Sequence, residues 1–174
     1  MSAQEPAGTR DIARMMAHYM AWANKVKLDS ASQLPPAEIV RHRPSAFGTI
    51  AHTFNHILVI EDIFRCHLEG RPHGYRARNT PTAPPFEEVR ERLEEMDQYY
   101  VALAERLSAG ELNETIRFEY VGGGDGAMTR QEIILHLANH ATYHRGFISV
   151  MFHQVPFVSG SDDLSVFLRD VWRG

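Results

Sequence analysis

Four long segments of this sequence repeat their apolar residues every three to four positions, and this period constrains the fold more than any other feature. The segments cover residues 9–34, 45–68, 86–107 and 129–154. Such spacing places one apolar stripe along a helix, and the stripe must be buried against another element. Four amphipathic helices in 174 residues predict an all-α fold built as a four-helix bundle.

The segments between the helices predict only small additional elements. Residues 114–121 alternate apolar and polar side chains, which predicts a short strand, and the glycine-rich turn 122–126 follows it. A short C-terminal helix is expected over residues 164–171. The connection 70–85 is rich in proline and arginine and is longer than an antiparallel helical hairpin needs, so it predicts a crossover or a loop covering a pocket. The whole chain, 1–174, is expected to form a single domain.

Side chains that cap helices predict where three of the helices begin. Thr9 and Ser45 precede the first and second apolar stripes, and serine or threonine at this position accepts a hydrogen bond from the first helical turn. Thr129 is followed three residues later by Glu132, which is a capping box at the start of the fourth helix.

Composition excludes several classes of protein. The net charge of −4 disfavours direct binding to nucleic acid or to an anionic membrane. A single cysteine, Cys66, precludes an intramolecular disulfide and gives no sign of secretion. The first eleven residues lack the basic and apolar regions of a signal peptide, and no apolar run approaches a membrane span of ~18 residues. A cytoplasmic protein with no nucleic-acid or membrane partner is therefore expected.

Two histidines lie near the middle of the apolar stripe of the fourth helix. His140 and His144 are separated by one helical turn, which brings their side chains to roughly 6 Å from each other. Buried imidazoles are costly unless their nitrogens are satisfied. In one interpretation, the two histidines are core residues whose nitrogens form hydrogen bonds with neighbours. In the other, the pair chelates one metal ion.

A third histidine on another helix favours the metal interpretation. His56 flanks the apolar face of the second helix, whereas His52 lies toward its polar side. On the fourth helix His136 lies about 12 Å from His144, too far for both to bind one ion. The predicted ligands are therefore His56, His140 and His144. Three neutral imidazoles suit Zn²⁺ and also Ni²⁺, Cu²⁺ or Fe²⁺, and they leave one coordination position open, as in a catalytic site.

Other polar residues near these histidines are candidates for supporting the ligands. Glu61 falls within the apolar face of the second helix, where structural pairing with an arginine or a backbone donor is favoured over support of a metal ligand. Asn55, Asn139 and Tyr143 are the remaining candidates. Spacing assigns no catalytic residue among them.

Four stretches of the chain resemble the DinB family of DNA-damage-inducible and YfiT-like proteins. They are YMAWANKVKLDSASQLP, FGTIAHTFNHILVIEDIF, NHATYHRG and DDLSVFLRD, and their order spans nearly the whole length. The resemblance implies an up-down-down-up bundle and three metal-binding histidines, matching His56, His140 and His144. The chain departs from the family in carrying Tyr143 where members often have a second histidine and Phe147 where they often have glutamine.

The resemblance also implies a function. Relatives include thiol S-transferases that use low-molecular-weight bacterial thiols and an isomerase that depends on such a thiol. The expectation is a metal-dependent enzyme, a transferase or a hydrolase, that binds a divalent ion, Zn²⁺ or Ni²⁺ first, and a small-molecule substrate such as a thiol. The alternatives are a non-catalytic metal-binding helical protein and a stress- or DNA-damage-response protein without direct DNA binding. Family members often pair through bundle helices, so a homodimer is expected.

Overall fold

Four long helices and a two-stranded sheet form the architecture in a computed structural model that describes residues 8–174. Residues 1–7 lie outside the described residues. They include most of the N-terminal stretch in which no signal-peptide pattern was found. The long helices are α1 (Thr9–Ser32), α3 (Ile50–Leu68), α4 (Phe86–Arg106) and α6 (Arg130–Phe152). The short helices are α2 (Pro36–Ile39), α5 (Ala109–Leu112) and α7 (Leu164–Phe167), and a π-helical turn (Leu168–Trp172) follows α7. Strands β1 (Thr115–Glu119) and β2 (Asp125–Thr129) pair antiparallel. The predicted helical fold with a small β-element is confirmed.

Contacts along the bundle show that α1 and α4 run in opposite directions. Arg10 at the start of α1 donates to the carbonyl of Glu105 at the end of α4, 3.0 Å away. At the opposite end, Arg90 of α4 pairs with Asp29 of α1 at 2.7 Å. The start of each helix therefore lies beside the end of the other, and the two helices are antiparallel.

Helices α3 and α4 run parallel, which explains the long connection between them. Phe54 packs on Phe86 near the starts of both helices, with ring centroids 5.9 Å apart. About two turns further along α3 and four turns further along α4, the Tyr100 hydroxyl donates to the Glu61 carbonyl at 2.7 Å. Residues 69–85 must return the chain along the length of α3, so the crossover predicted from their number is confirmed.

Helix α6 runs antiparallel to α3, and this relation sets the direction of the last long helix. His56 of α3 contacts His140 of α6, whereas Phe64, two turns later on α3, contacts His136, one turn earlier on α6. The four long helices thus run up, down, down and up. Because α1 and α3 both pack on α4 and α6, the two lie diagonally across the bundle.

The start of α3 differs from the prediction in a way that shapes the functional site. Thr49, not Ser45, caps this helix and accepts a hydrogen bond from the His52 amide at 3.0 Å. Gly48 has a φ of +74°, which favours glycine, and a Cβ there would lie 2.9 Å from the His42 ring. This conformation ends the irregular segment and places Phe47 outside the helix, although periodicity alone assigned Phe47 to it.

The other two predicted caps have different outcomes. The capping box of Thr129 and Glu132 is confirmed, since each residue bonds to the other's backbone amide. Helix α1 begins one residue earlier than predicted, because Gly8 occupies the capping position and its amide donates to Asp11 at 3.2 Å.

A polar network crosses the bundle interior and links α1, α4 and α6. Arg145 of α6 is fully buried and donates to Asn24 of α1 at 2.7 Å and to Asp162 at 3.0 Å. Asn24 in turn donates to Asp97 of α4 at 3.0 Å. Glu61 of α3 is buried beside this network. The direct bond predicted for Glu61 is absent, because its carboxylate oxygens accept no hydrogen bond from residues 8–174.

Burial changes the proton affinity of both interior carboxyl groups. It raises the pKa of Asp97 to about 7, and the bond from Asn24 and the charge of Arg145 oppose this rise. Burial raises the pKa of Glu61 well above its ordinary value, and the neighbouring Asp97 raises it further. Below about pH 7, both carboxyl groups therefore favour the protonated form in the folded chain.

This preference predicts that Asp97 destabilises the fold as pH rises. Between pH 4 and pH 7 the folded chain holds a proton on Asp97 that the unfolded chain releases, so the contribution of Asp97 to the free energy of unfolding falls with pH. Asp97→Asn retains an oxygen acceptor for Asn24 and cannot ionise. Relative to wild type, we expect this variant to gain about 1 kcal/mol in free energy of unfolding at pH 5, rising to about 4 kcal/mol at pH 8, measured by urea titration. The exposed Glu91→Gln is the matched control on the same helix, and a pH-independent difference between Asp97→Asn and wild type would contradict the prediction.

Candidate metal centre

Three histidines from two antiparallel helices meet at one point in the bundle. His56 and His144 are buried and His140 is half-buried, and one ring nitrogen from each lies within 4.8 Å of the others. The Nε2 atoms of His56 and His140 are 3.0 Å apart. The ring centroid of His144 lies 4.4 Å from that of either neighbour. The structure therefore brings together the three histidines selected from the sequence.

A backbone carbonyl fixes the orientation of His56. Its Nδ1 lies 2.6 Å from the carbonyl oxygen of Arg78, and donation of the Nδ1 proton to that oxygen leaves Nε2 as a free lone pair facing His140. Histidines that ligate metals commonly have this arrangement, because the outer hydrogen bond sets both tautomer and ring direction. No sequence pattern points to Arg78, since the contact uses only its backbone carbonyl.

The connection that carries Arg78 is anchored to the first two turns of α3. The His52 ring nitrogen donates to the Thr80 carbonyl at 2.8 Å, and Asn55 donates to the side chain of Asn79 at 2.5 Å. Asn79 returns a hydrogen bond to the His52 carbonyl at 3.0 Å. His52 and Asn55 thus hold the connection in place, and neither belongs to the histidine cluster.

The three clustered imidazoles are neutral at pH 7 because burial disfavours their charged forms. Burial, with a smaller effect of neighbouring histidines, lowers the pKa of His140 to about 2 and that of His144 to about 4. The pKa of His56 is also lowered, mainly by burial. Neutral imidazoles present the lone pairs that a metal ion requires without first releasing a proton.

The donor set fits a divalent ion better than it fits a packed core. The Nδ1 atoms of His140 and His144 are buried and have no hydrogen-bond partner among residues 8–174. Ligand nitrogens around tetrahedral Zn²⁺ are about 3.3 Å from one another, given bonds of 2.0–2.1 Å, and the 3.0 Å between His56 and His140 is close to this value. The cluster can therefore accept a divalent metal ion with small adjustments of its rings.

A cavity of about 750 Å³ opens beside the three histidines. Its wall is mostly apolar and includes residues from α3, α6, the β-hairpin and both flanking connections. Phe47 stacks on His56 with ring centroids 4.2 Å apart and shields the cluster on one side. The other lining residues besides the cluster are Ala46, Ile60, Phe64, Ala77, Arg78, Asn79, Tyr120, His136 and Tyr143.

Residues that the sequence analysis placed near the metal take different positions. His136 lines the cavity with its ring centroid 5.8 Å from that of His140, outside the three-nitrogen cluster. Tyr143 stands at the cavity with its ring 5.0 Å from His144, and 62% of the residue is exposed. Asn139 is exposed. Arg78 and Tyr120 were missed as cavity residues because they lie in a connection and in the hairpin, where no helical period points to them. Phe47 was missed because periodicity assigned it to the core face of the second helix.

Comparison with known sequences identifies the family. A profile of the DinB family matches residues 6–169. This chain belongs to the DinB family. It is 25% identical over 163 residues to Protein DinB of Bacillus subtilis (strain 168), covering 91% of this chain and 94% of that relative. Its fold is similar to the crystal structure of a DinB-like protein from Bacillus cereus ATCC 10987, with a TM-score of 0.64, 14% identity, and coverage of 84% of this chain and 94% of that one.

The long helices of this DinB-family chain pack against one another as a bundle. Across residues 8–174, no helix combines the length and the apolar character that crossing a bilayer requires.

Proposed function

We propose that this DinB-family chain is a metal-dependent transferase that joins a small thiol to an electrophilic carbon. One divalent ion, Zn²⁺ or Ni²⁺, would be held by His56, His140 and His144. The observation that carries the proposal is the convergence of three neutral imidazole nitrogens in the wall of an open cavity. Three protein ligands leave a coordination position for substrate, as in catalytic rather than structural zinc sites.

The chemistry divides between the ion and the protein. When bound, the ion acts as a Lewis acid that lowers the pKa of a thiol at the open position toward neutrality. The carbonyl of Arg78 orients His56, and Phe47 with the apolar wall excludes water from the reacting atoms. The thiol sulfur forms a bond to the electrophilic carbon, the leaving group departs with the bonding electron pair, and the thiol proton passes to solvent.

The composition of the cavity wall favours transfer of a thiol over hydrolysis. Within the part of the chain that the structure describes, no aspartate or glutamate lines the cavity, so it offers no carboxylate as a general base toward water. A thiol has an ordinary pKa of about 8.5, so it needs a much smaller shift than water to become a nucleophile at pH 7.

Hydrolysis is the second candidate, and the position of His136 favours it. This imidazole is half-buried and lines the cavity one helical turn from His140. A histidine in such a position can accept a proton from water. A purely structural metal site is less consistent with the geometry, because such sites usually have four protein ligands, and the cluster in residues 8–174 has three.

Rate measurements with defined metal content test the proposed function. We expect Zn²⁺- or Ni²⁺-loaded protein to accelerate formation of the thioether from L-cysteine and 1-chloro-2,4-dinitrobenzene, followed by absorbance. The same protein without metal, and His140→Ala treated with metal, should show only the uncatalysed rate. Metal-dependent cleavage of p-nitrophenyl acetate without thiol, reduced in His136→Ala, would favour hydrolysis instead. Equal rates with and without metal in both assays would contradict an enzymatic role.

A further inference from the structure

The cavity beside the histidine cluster is suited to an anion. Its three candidate ligands are neutral, so a bound divalent ion would keep its full positive charge. Among residues 8–174, no acidic side chain lines the cavity to offset that charge, and Arg78 is the one lysine or arginine in its wall. A neutral or cationic molecule would gain little from such a site, whereas an anion is attracted to it.

Arg78 is held at the cavity while its side chain stays free. Its carbonyl accepts the bond from His56 at 2.6 Å, and the next two residues, Asn79 and Thr80, bond to α3 around His52. The guanidinium group itself makes no hydrogen bond or ion pair with residues 8–174 and is exposed. Because the backbone is already fixed, a ligand bound by the guanidinium group orders only the side chain and requires no further ordering of the connection.

Arg78 also lies where two cavities meet. A second cavity of about 230 Å³ shares Ile60, Phe64, Arg78 and Tyr120 with the larger one and is otherwise lined by Ile63, His67 and Val121. Its walls are mainly apolar.

Other arginines of the same connection do not share this position. Arg71 pairs with Glu69 at 2.6 Å, and Arg76 lines a different surface cavity that also contains Glu119. Arg78 is thus the arginine of residues 70–85 that faces the histidine cluster without an acidic neighbour in the cavity wall.

We infer that Arg78 determines substrate specificity by binding a carboxylate on the small molecule whose sulfur meets the metal ion. A single guanidinium fork matches one carboxylate group, and charge-assisted bonds of this kind are among the strong ones in proteins. The apolar walls of the two adjoining cavities accommodate the rest of the molecule. This inference rests on the proposed function, and it adds the chemical class of the substrate and the residue that selects it.

Two matched thiols separate the contribution of Arg78 from that of the metal. The probes are 4-(mercaptomethyl)benzoate and 4-(mercaptomethyl)benzamide, which differ in charge and not in shape. Protein loaded with Co²⁺ reports sulfur at the metal by a ligand-to-metal absorption band, and titration of this band gives each dissociation constant. We expect both thiols to produce the band and the carboxylate to bind at least about 10-fold more tightly, as one charge-assisted hydrogen bond provides.

Substitutions then assign the preference to Arg78. Arg78→Gln should bring the ratio of the two dissociation constants to nearly one, while the absorption band and the metal content stay unchanged. Arg76→Gln, which removes the same charge from the same connection, should leave the preference intact. A band with both thiols but no preference in wild type, or a preference that survives Arg78→Gln, would overturn the inference and leave the proposed function standing. Absence of the band with both thiols would contradict the proposed function, and the inference would fail with it.

Discussion

We expect His140→Ala to remove stoichiometric metal binding while the bundle stays folded. His140 supplies the nitrogen that lies 3.0 Å from His56 Nε2, and without it the remaining pair has one ligand on each of two helices. Changes to residues that merely support ligands cost about 10- to 100-fold in affinity, so loss of a ligand should cost more than about 100-fold. Calorimetric titration of metal-free protein with Zn²⁺ measures this loss, and far-ultraviolet circular dichroism should show unchanged helicity.

His136→Ala is the matched control for that experiment. It removes an imidazole from the same helix and the same cavity, one turn from His140, but its ring lies outside the three-nitrogen cluster. We expect its Zn²⁺ affinity to remain close to that of wild type. If His136→Ala lost metal and His140→Ala retained it, the wrong pair of histidines would have been chosen on this helix.

Arg145→Ala is expected to produce the largest loss of stability among single substitutions in the bundle. Arg145 is fully buried, and its guanidinium group donates to Asn24, Asp162 and Thr142 at 2.7–3.0 Å. Its charge also opposes the effect of burial on Glu61. Truncation removes these bonds and leaves buried polar groups without their partner, which typically costs about 3–5 kcal/mol.

Thermal unfolding measures this loss. For a chain of this size each kcal/mol shifts the midpoint by about 2–4 °C, so Arg145→Ala should unfold roughly 6–20 °C below wild type. Arg145→Lys retains the charge but loses the forked geometry of the guanidinium group. Its unfolding midpoint should lie between those of Arg145→Ala and wild type. The control Arg169→Ala removes an exposed arginine and should leave the midpoint unchanged. Similar midpoints for Arg145→Ala and Arg169→Ala would show that the interior network does not stabilise the fold.

The fold was predictable because each long helix repeats its apolar residues over five or more turns. The third predicted helix illustrates this, since every apolar residue of its stripe is buried. Those residues are Phe86, Val89, Leu93, Met96, Tyr100, Leu103 and Leu107. The histidine cluster was predictable for the same reason, because helical spacing places His140 and His144 on the face that meets α3.

Features that depend on irregular backbone were not predictable from a period. Ser45 resembled a helix cap, yet the positive φ of Gly48 moves the start of α3 to Ile50 and turns Phe47 toward the site. The contact from Arg78 to His56 is made by a carbonyl, which every residue has, so the sequence gives no indication of it.

The interior network was only partly predictable, for an energetic reason. The burial of Glu61 was predictable because it lies within an apolar stripe, where a carboxylate is rare. No sequence pattern shows which charged side chains lie near it. Arg145 gave no signal at all, since arginine is seldom fully buried and a single arginine beside a histidine motif is usually exposed. Its partners Asn24 and Asp162 are distant in the sequence, and only the packing of the helices brings them together.

Metal content per chain tests the central claim most directly. The protein should be purified without a histidine tag, reconstituted with Zn²⁺ or Ni²⁺, freed of loose ions and measured by elemental analysis beside His56→Ala. The three-histidine centre predicts close to one ion per chain in wild type and almost none in the variant. No retained metal in wild type after reconstitution with either ion, or equal metal in both proteins, would contradict it.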